Sequence, residues 1–114
     1  MLQQIPEFPK FFLVMIKILR VTGRSLEPDF QDGDFVLVSK ILFFFRRARR
    51  GDVVAFLKEP YGLMIKRVEY LTPAGELFVL GTHPASVDSL QFGSIHRQEI
   101  LGKVIGHVKK PRRE

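Results

Sequence analysis

The chain has no cysteine and no tryptophan among its 114 residues. The absence of cysteine excludes a disulfide framework, a thiolate nucleophile and a cysteine metal site. Histidine is scarce, and His83, His96 and His107 do not show the spacing of metal ligands. We therefore expect no metal and no other cofactor.

Long apolar runs are also missing. The run from Phe11 to Ile16 is interrupted by Lys17 and Arg20, whereas a membrane-spanning helix needs about 20 apolar residues. Glu7 precedes this run and no small-residue cleavage site follows it, which does not fit a secretory signal. These features predict a water-soluble, cytoplasmic protein.

The composition is that of an ordinary globular protein. Hydrophobic residues make up 46% of the chain and charged residues 26%, which excludes a disordered tail. We predict a single domain over residues 1–114, with its core at about 20–108 and a basic tail at 109–114.

The chain is basic, with a formal net charge of +6. The excess lies in two clusters, Arg46, Arg47, Arg49 and Arg50, and Lys109, Lys110, Arg112 and Arg113. Such clusters bind nucleic acid, anionic lipid or acidic proteins, or are solvated loops. No helix-turn-helix pattern precedes residue 20, so we expect no nucleic-acid partner.

Several phenylalanines either fill the core or contact a membrane: Phe8, Phe11, Phe12, Phe43, Phe44 and Phe45. We expect a monomer with at most weak peripheral membrane contact.

Glycine and proline separate short runs of β-forming residues. The predicted strands are residues 11–22, 35–38, 53–57, 63–71, 77–80 and 102–108. Residues 40–50 fit no single element, residues 81–93 are expected as a polar loop, and Ser94 is expected to cap a helical turn at 95–100. This pattern predicts an all-β fold, a small, partly open antiparallel barrel or sheet with at most a short helix.

Lys66 lies in the predicted strand 63–71. Side chains alternate between the two faces of a strand, so Met64, Lys66, Val68 and Tyr70 are expected on one mostly apolar face. Burial on that face would lower the pKa of Lys66 and make its amine a base. The alternative is a lysine whose charged end reaches solvent at the rim.

Ser25 lies in a loop between Gly23 and Pro28. A serine hydroxyl becomes a nucleophile when a base lies within hydrogen-bond reach, and serine with lysine is one established pairing. Taken alone, Ser25 also fits an ordinary polar loop residue.

Four segments, in order, resemble the motifs of the signal peptidase I family. The segment Gly23-Arg24-Ser25-Leu26-Glu27-Pro28, followed by residues 33–38, resembles the family's serine motif. Residues 51–56 are similar to the next segment, residues 65–68 match the Lys-Arg-Val box, and residues 78–81, 86–89 and 92–93 resemble the last box. The resemblance covers about residues 20–105.

The resemblance implies that Ser25 is the nucleophile and Lys66 the general base. It further implies that Ser86 bonds and orients the lysine amine and that Asp88 supports the wall of the site. Gly23 stands where some members carry a serine that completes the oxyanion hole. Thr82, His83 and Leu90 depart from the usual aspartate, asparagine and arginine. A triad of Ser25, His83 and Asp88 is the rival arrangement.

The segment between Lys66 and Phe78 has room for a turn and for no second domain. This short form, with residues 81–89 reading Gly-Thr-His-Pro-Ala-Ser-Val-Asp-Ser, resembles the nickel-type superoxide dismutase maturation proteases. The resemblance implies a serine endopeptidase that removes a short N-terminal leader from a precursor protein. The alternatives are a membrane-associated leader peptidase for exported proteins, a self-cleaving repressor-type domain and a non-catalytic domain.

Overall fold

The computed structural model describes residues 16–22, 26, 28–40, 48–82 and 86–110. These residues form one antiparallel sheet of six strands in the order β1-β2-β6-β3-β4-β5. The strands are β1 (Ile16–Arg20), β2 (Phe35–Ser39), β3 (Val53–Lys58), β4 (Gly62–Leu71), β5 (Leu77–Leu80) and β6 (Ile100–Val108). A four-residue helix, α1 (Ser89–Phe92), and a 3-10 turn (Arg97–Glu99) complete the described elements. The expectation of an all-β, open antiparallel fold is confirmed.

Strand β3 is buried on both faces because each face contributes to a different apolar cluster. Val54 and Phe56 belong to a first cluster, whose other members are Ala48, Val68, Leu77, Val79, Ile95 and Ile100. Val53 and Ala55 belong to a second cluster, whose other members are Val21, Leu26, Phe30, Val36 and Val38. The unbroken apolar run of β3 therefore fits a strand packed on both sides.

A β-bulge corrects one prediction. Val68 pairs with Val79, but Tyr70 pairs with Phe78, so β4 has one more residue than β5 in this interval. A bulge reverses the alternation of side chains beyond it. Tyr70 consequently leaves the face of Val68, stacks on Phe78 with ring centroids 4.8 Å apart, and is 48% exposed.

Two short elements also differ from expectation. Residues 89–92 form α1 where a loop was expected, and Asp88 caps this helix. The expected turn at 95–100 is a 3-10 turn capped by His96, whereas the Ser94 hydroxyl donates to Glu76 instead (2.6 Å). Strand β6 begins two residues before the predicted start at Gly102, while residues 11–15 of the first predicted strand lie outside the described residues.

The surface features raised by the sequence are only partly within the described residues. Arg46, Arg47, Arg112, Arg113 and the six phenylalanines of the membrane hypothesis lie outside them. Within the described part of the chain, no helix combines the length and apolar character needed to cross a bilayer.

Candidate active site

Lys66 is an almost fully buried lysine in the middle of β4. It lies directly opposite Val54 of β3, and only 2% of the residue is exposed. Val68 on the same face is buried in the first cluster, and Met64 packs against that cluster. Lys66 therefore has the predicted apolar neighbours Met64 and Val68. Tyr70, which was predicted on the same face, lies on the other face of the sheet.

The electrostatics of Lys66 make its ammonium form less favourable than that of a solvated lysine. Burial lowers the pKa of Lys66 below the ordinary lysine value, because an ammonium ion loses hydration in an apolar site. The Asp88 carboxylate acts in the opposite direction, but its effect is smaller than that of burial. None of the ion pairs among the described residues involves Lys66. Such an amine can accept a proton closer to neutral pH than a solvated lysine can.

Asp88 is 5% exposed, and neutral backbone groups bind its carboxylate. One oxygen accepts from the Gly81 N–H (3.1 Å) and the other from the Leu90 N–H (3.0 Å). Gly81 directly follows Leu80, which pairs with Arg67, the neighbour of Lys66. Asp88 thus fixes the position of the chain beside Lys66 through backbone hydrogen bonds. The arginine that the resemblance would place at position 90 is replaced by Leu90.

The segment after Asp88 is fixed along the outer edge of β5. The buried Ser89 hydroxyl accepts from the Val79 N–H (2.9 Å), and Leu77 and Ile95 exchange two backbone hydrogen bonds. Together with the bond from Gly81 to Asp88, these contacts give the backbone N–H groups of residues 77, 79 and 81 hydrogen-bond partners along the outer edge of β5. Ser86 is half-buried two residues before Asp88, and its hydrogen bond to the Lys66 amine stays a prediction.

Gly23, Ser25 and His83 lie outside the described residues, but the chain next to Ser25 is described. Leu26 is 1% exposed and packs in the second cluster. Asp29 forms an ion pair with Arg67 (2.9 Å). The described chain after Ser25 is therefore attached to the sheet at Arg67, the residue that follows Lys66 in β4, on the face opposite to the Lys66 side chain.

Strand β4 has an edge that no other described strand covers. Residues 62–67 pair with β3, whereas β5 pairs only with residues from Arg67 to Leu71. An uncovered edge presents backbone donors and acceptors to which an extended peptide can add. This edge ends at Lys66, so a peptide bound along it would approach the lysine.

Two residues that support this site, Ser89 and Gln91, are not among the site residues predicted from the sequence. Gln91 accepts from the Asp88 N–H (2.9 Å) and completes a capping box with Asp88. The spacing of Asp88 and Gln91 is the sequence signal that predicts such a box.

The two described histidines are locally bonded. His96 pairs with Glu76, and His107 lies 2.7 Å from Asp34 and stacks on Phe30. Within the described ranges, no group of three or more His, Asp or Glu side chains is placed to hold a metal ion.

Comparison with known proteins identifies the family. Residues 12–105 match the profile of the family described as Peptidase S24-like, and no curated protein matches the chain. The matched span contains the Ser25 loop, Lys66 and Asp88, and it supports a domain of the serine-peptidase type. Because this span makes up most of the chain, the protein belongs to the Peptidase S24-like family.

Proposed function

We propose that the chain is a serine endopeptidase in which Ser25 is the nucleophile and Lys66 is the general base. The observation that carries this proposal is the buried Lys66, whose pKa is lowered by its apolar surroundings. A charged residue is seldom buried without a direct charged partner, and an amine of lowered pKa is what this chemistry requires.

In the proposed reaction, the neutral Lys66 amine takes the proton of the Ser25 hydroxyl while its oxygen attacks the scissile carbonyl carbon. The resulting ammonium group donates that proton to the departing amine as the peptide bond breaks, which leaves an acyl-enzyme. Water then attacks the ester with Lys66 again as base. The Ser25 N–H contributes to the oxyanion hole, and Gly23 offers no side-chain donor there.

The meeting of Ser25 and Lys66 is supported by the family match, which spans both residues. The described residues after Ser25 attach the chain to β4: Asp29 pairs with Arg67, and Leu26 is buried in the second cluster. Both contacts lie on the sheet face opposite to that of Lys66, because neighbouring side chains of a strand alternate between its faces. The proposal therefore requires Ser25 to reach the face of Lys66, and a structure that holds Ser25 on the face of Leu26 would contradict it.

The proposed substrate is the short N-terminal leader of a cytoplasmic precursor, and specifically that of a nickel-type superoxide dismutase. An extended leader can pair with the uncovered edge of β4, where backbone bonds fix its register. The half-exposed Leu63 lies on this strand, and it offers the leader an apolar contact.

The test is cleavage of a purified dismutase precursor by wild-type protein and by matched variants. Ser25→Ala and Lys66→Met should each reduce kcat by at least about 10³-fold. Ser94→Ala and Lys103→Met are the controls, because the partners of these residues are Glu76 and Asp52 and not Lys66. Cleavage that survives both Ser25→Ala and Lys66→Met would contradict the proposal.

The family match also supports a second candidate, a self-cleaving repressor-type domain, because Peptidase S24-like families include such proteins. Incubation of the chain alone over a range of concentrations distinguishes the two. A rate of self-cleavage that is independent of concentration would favour the repressor-type function, whereas cleavage of added precursor alone would favour the endopeptidase.

A further inference from the structure

Helix α1 is held in place by the rest of the fold. Four residues are too few for a helix to be stable alone. The Asp88–Gln91 capping box fixes its beginning, the Ser89 hydroxyl ties it to Val79, and the Phe92 ring contacts Phe56 at a centroid distance of 6.0 Å. The position of Asp88 is therefore determined by contacts of α1.

The position of Asp88 matters because its charge acts on Lys66. Leu90 supplies no cation, and both carboxylate oxygens accept from neutral backbone N–H groups. The negative charge is thus held in place and is not neutralised. A carboxylate that turned to the amine would form a buried ion pair and stabilise the ammonium form of Lys66.

Other charged groups near β4 are occupied with partners of their own. These ion pairs are Arg67–Asp29, Arg50–Glu69 and Lys103–Asp52. Among the described residues, Asp88 is the charged group whose interaction with Lys66 opposes the effect of burial. A change in the state of Lys66 after a change in α1 would therefore act through Asp88.

We propose that Gln91 is a positioning residue for Lys66: its amide oxygen accepts from the Asp88 N–H and so keeps the Asp88 carboxylate on the Gly81 and Leu90 amides, away from the lysine amine. This role rests on the proposed function of Lys66 as the base. Gln91 also donates its own N–H to the Asp88 carbonyl (2.9 Å), so its backbone and its side chain bind the same residue.

The test is an NMR titration of the Lys66 ε-methylene group in protein labelled at lysine, with the signal assigned by its loss in Lys66→Arg. Gln91→Ala should raise the pKa of Lys66, because Asp88 is released towards the amine. Gln91→Met is the second variant, since it keeps the side-chain length and removes the acceptor. Gln98→Ala, on the 3-10 turn, is the control and should leave the titration unchanged.

Asp88→Asn provides the decisive comparison. It should lower the pKa of Lys66, and in this background Gln91→Ala should have no further effect. An unchanged titration in folded Gln91→Ala and Gln91→Met would overturn the proposal, and so would a shift that persists without the Asp88 charge.

Kinetics separate this proposal from the proposed function. In Gln91→Ala, kcat/KM for leader cleavage at pH 7 should fall roughly three- to tenfold and recover at alkaline pH, as the fraction of neutral amine recovers. A protein that cleaves no precursor but shows the expected titrations would contradict the endopeptidase function and would support the positioning role of Gln91.

Discussion

At the scale of a single residue, Lys66 combines a cationic side chain with an almost completely buried position. Loss of hydration makes the charged form costly in an apolar environment. Asp88 offsets part of this cost through its charge, but its oxygens are bound to backbone amides. A residue placed in this way reduces the stability of the fold, which is typical of a functional site.

This cost leads to a prediction about stability and pH. Lys66→Met should raise the free energy of unfolding at pH 7 by about 1–3 kcal/mol, because a methionine fills the site without a charge. The unfolded chain binds the lysine proton up to about pH 10.5, whereas the folded chain releases it at a lower pH. The stability of the wild type therefore rises with pH in this range, and the advantage of methionine should disappear as pH approaches 10.5.

Urea denaturation at several pH values measures this effect. Lys103→Met is the matched control, since Lys103 lies in the same cross-strand row, opposite Val54, but pairs with Asp52 at 3.3 Å. It should gain no stability at pH 7. If Lys66→Met is less stable than wild type at every pH, burial of the Lys66 charge does not destabilise the fold, which would contradict this prediction.

Part of the site follows from the sequence and part does not. Strand alternation placed Lys66 on an apolar face with Met64 and Val68, since the period of two is a property of any strand. The bulge that turns Tyr70 away depends on the partner strand β5 and has no signal within β4 itself. The bonds of Asp88 to Gly81 and Leu90 depend on tertiary packing in the same way. The roles of Ser25, Gly23 and Ser86 stay predictions.

At the scale of the elements, Asp34 fastens the start of β2 to the end of β6. Its carboxylate accepts from the Lys110 and Gln31 backbone N–H groups and lies 2.7 Å from the His107 ring. These contacts lower the pKa of Asp34 from 3.8 to about 2. The hydrogen bond from the Lys110 N–H lowers it most, and those from Gln31 and His107 lower it further. The ionised Asp34 thus links the turn before β2 to the chain after β6.

Asp34→Asn should therefore destabilise the protein by about 2 kcal/mol at pH 7, the value that follows from the lowered pKa. Because the pKa of the folded state is the lower one, this stability is present above pH 3.8 and is lost as pH falls towards 2. The measurement is urea denaturation of both proteins between pH 2 and pH 7.

Asp29→Asn is the control for this prediction, because the Asp29 side chain is 59% exposed in its pair with Arg67. An exposed pair contributes at most about 1 kcal/mol. Equal pH dependence of wild type and Asp34→Asn would show that Asp34 does not couple the two strands.

The strands were predicted more accurately than the other elements. Turn residues and β-forming runs located β2 to β5 to within one residue at either end, because these signals are local. The polar composition of residues 81–93 predicts a loop where α1 forms, although Asp88 and Gln91 have the spacing of a capping box. The cap of the 3-10 turn was assigned to Ser94, whose hydroxyl instead finds Glu76, a residue distant in sequence.

At the scale of the whole molecule, the net charge of +6 should govern contact with membranes. We expect the protein to sediment weakly with anionic vesicles at about 0.05 M salt and to be released at about 0.5 M, because salt screens such attraction. Vesicles of zwitterionic lipid are the control and should bind none. Retention at high salt would instead favour the membrane-associated leader peptidase.

The strand order sets the moment at which the proposed nucleophile and the proposed base can come together during synthesis. Strand β6 is the last of the described strands along the chain, yet it lies between β2 and β3 and joins β1-β2 to β3-β4-β5. The first group leads into and out of the loop with the proposed nucleophile, and the second carries the proposed base. While the chain emerges from the ribosome, the two groups cannot share a sheet until residues 100–108 are available. The proposed pair of Ser25 and Lys66 therefore cannot form in one sheet before residues 100–108 have left the ribosome.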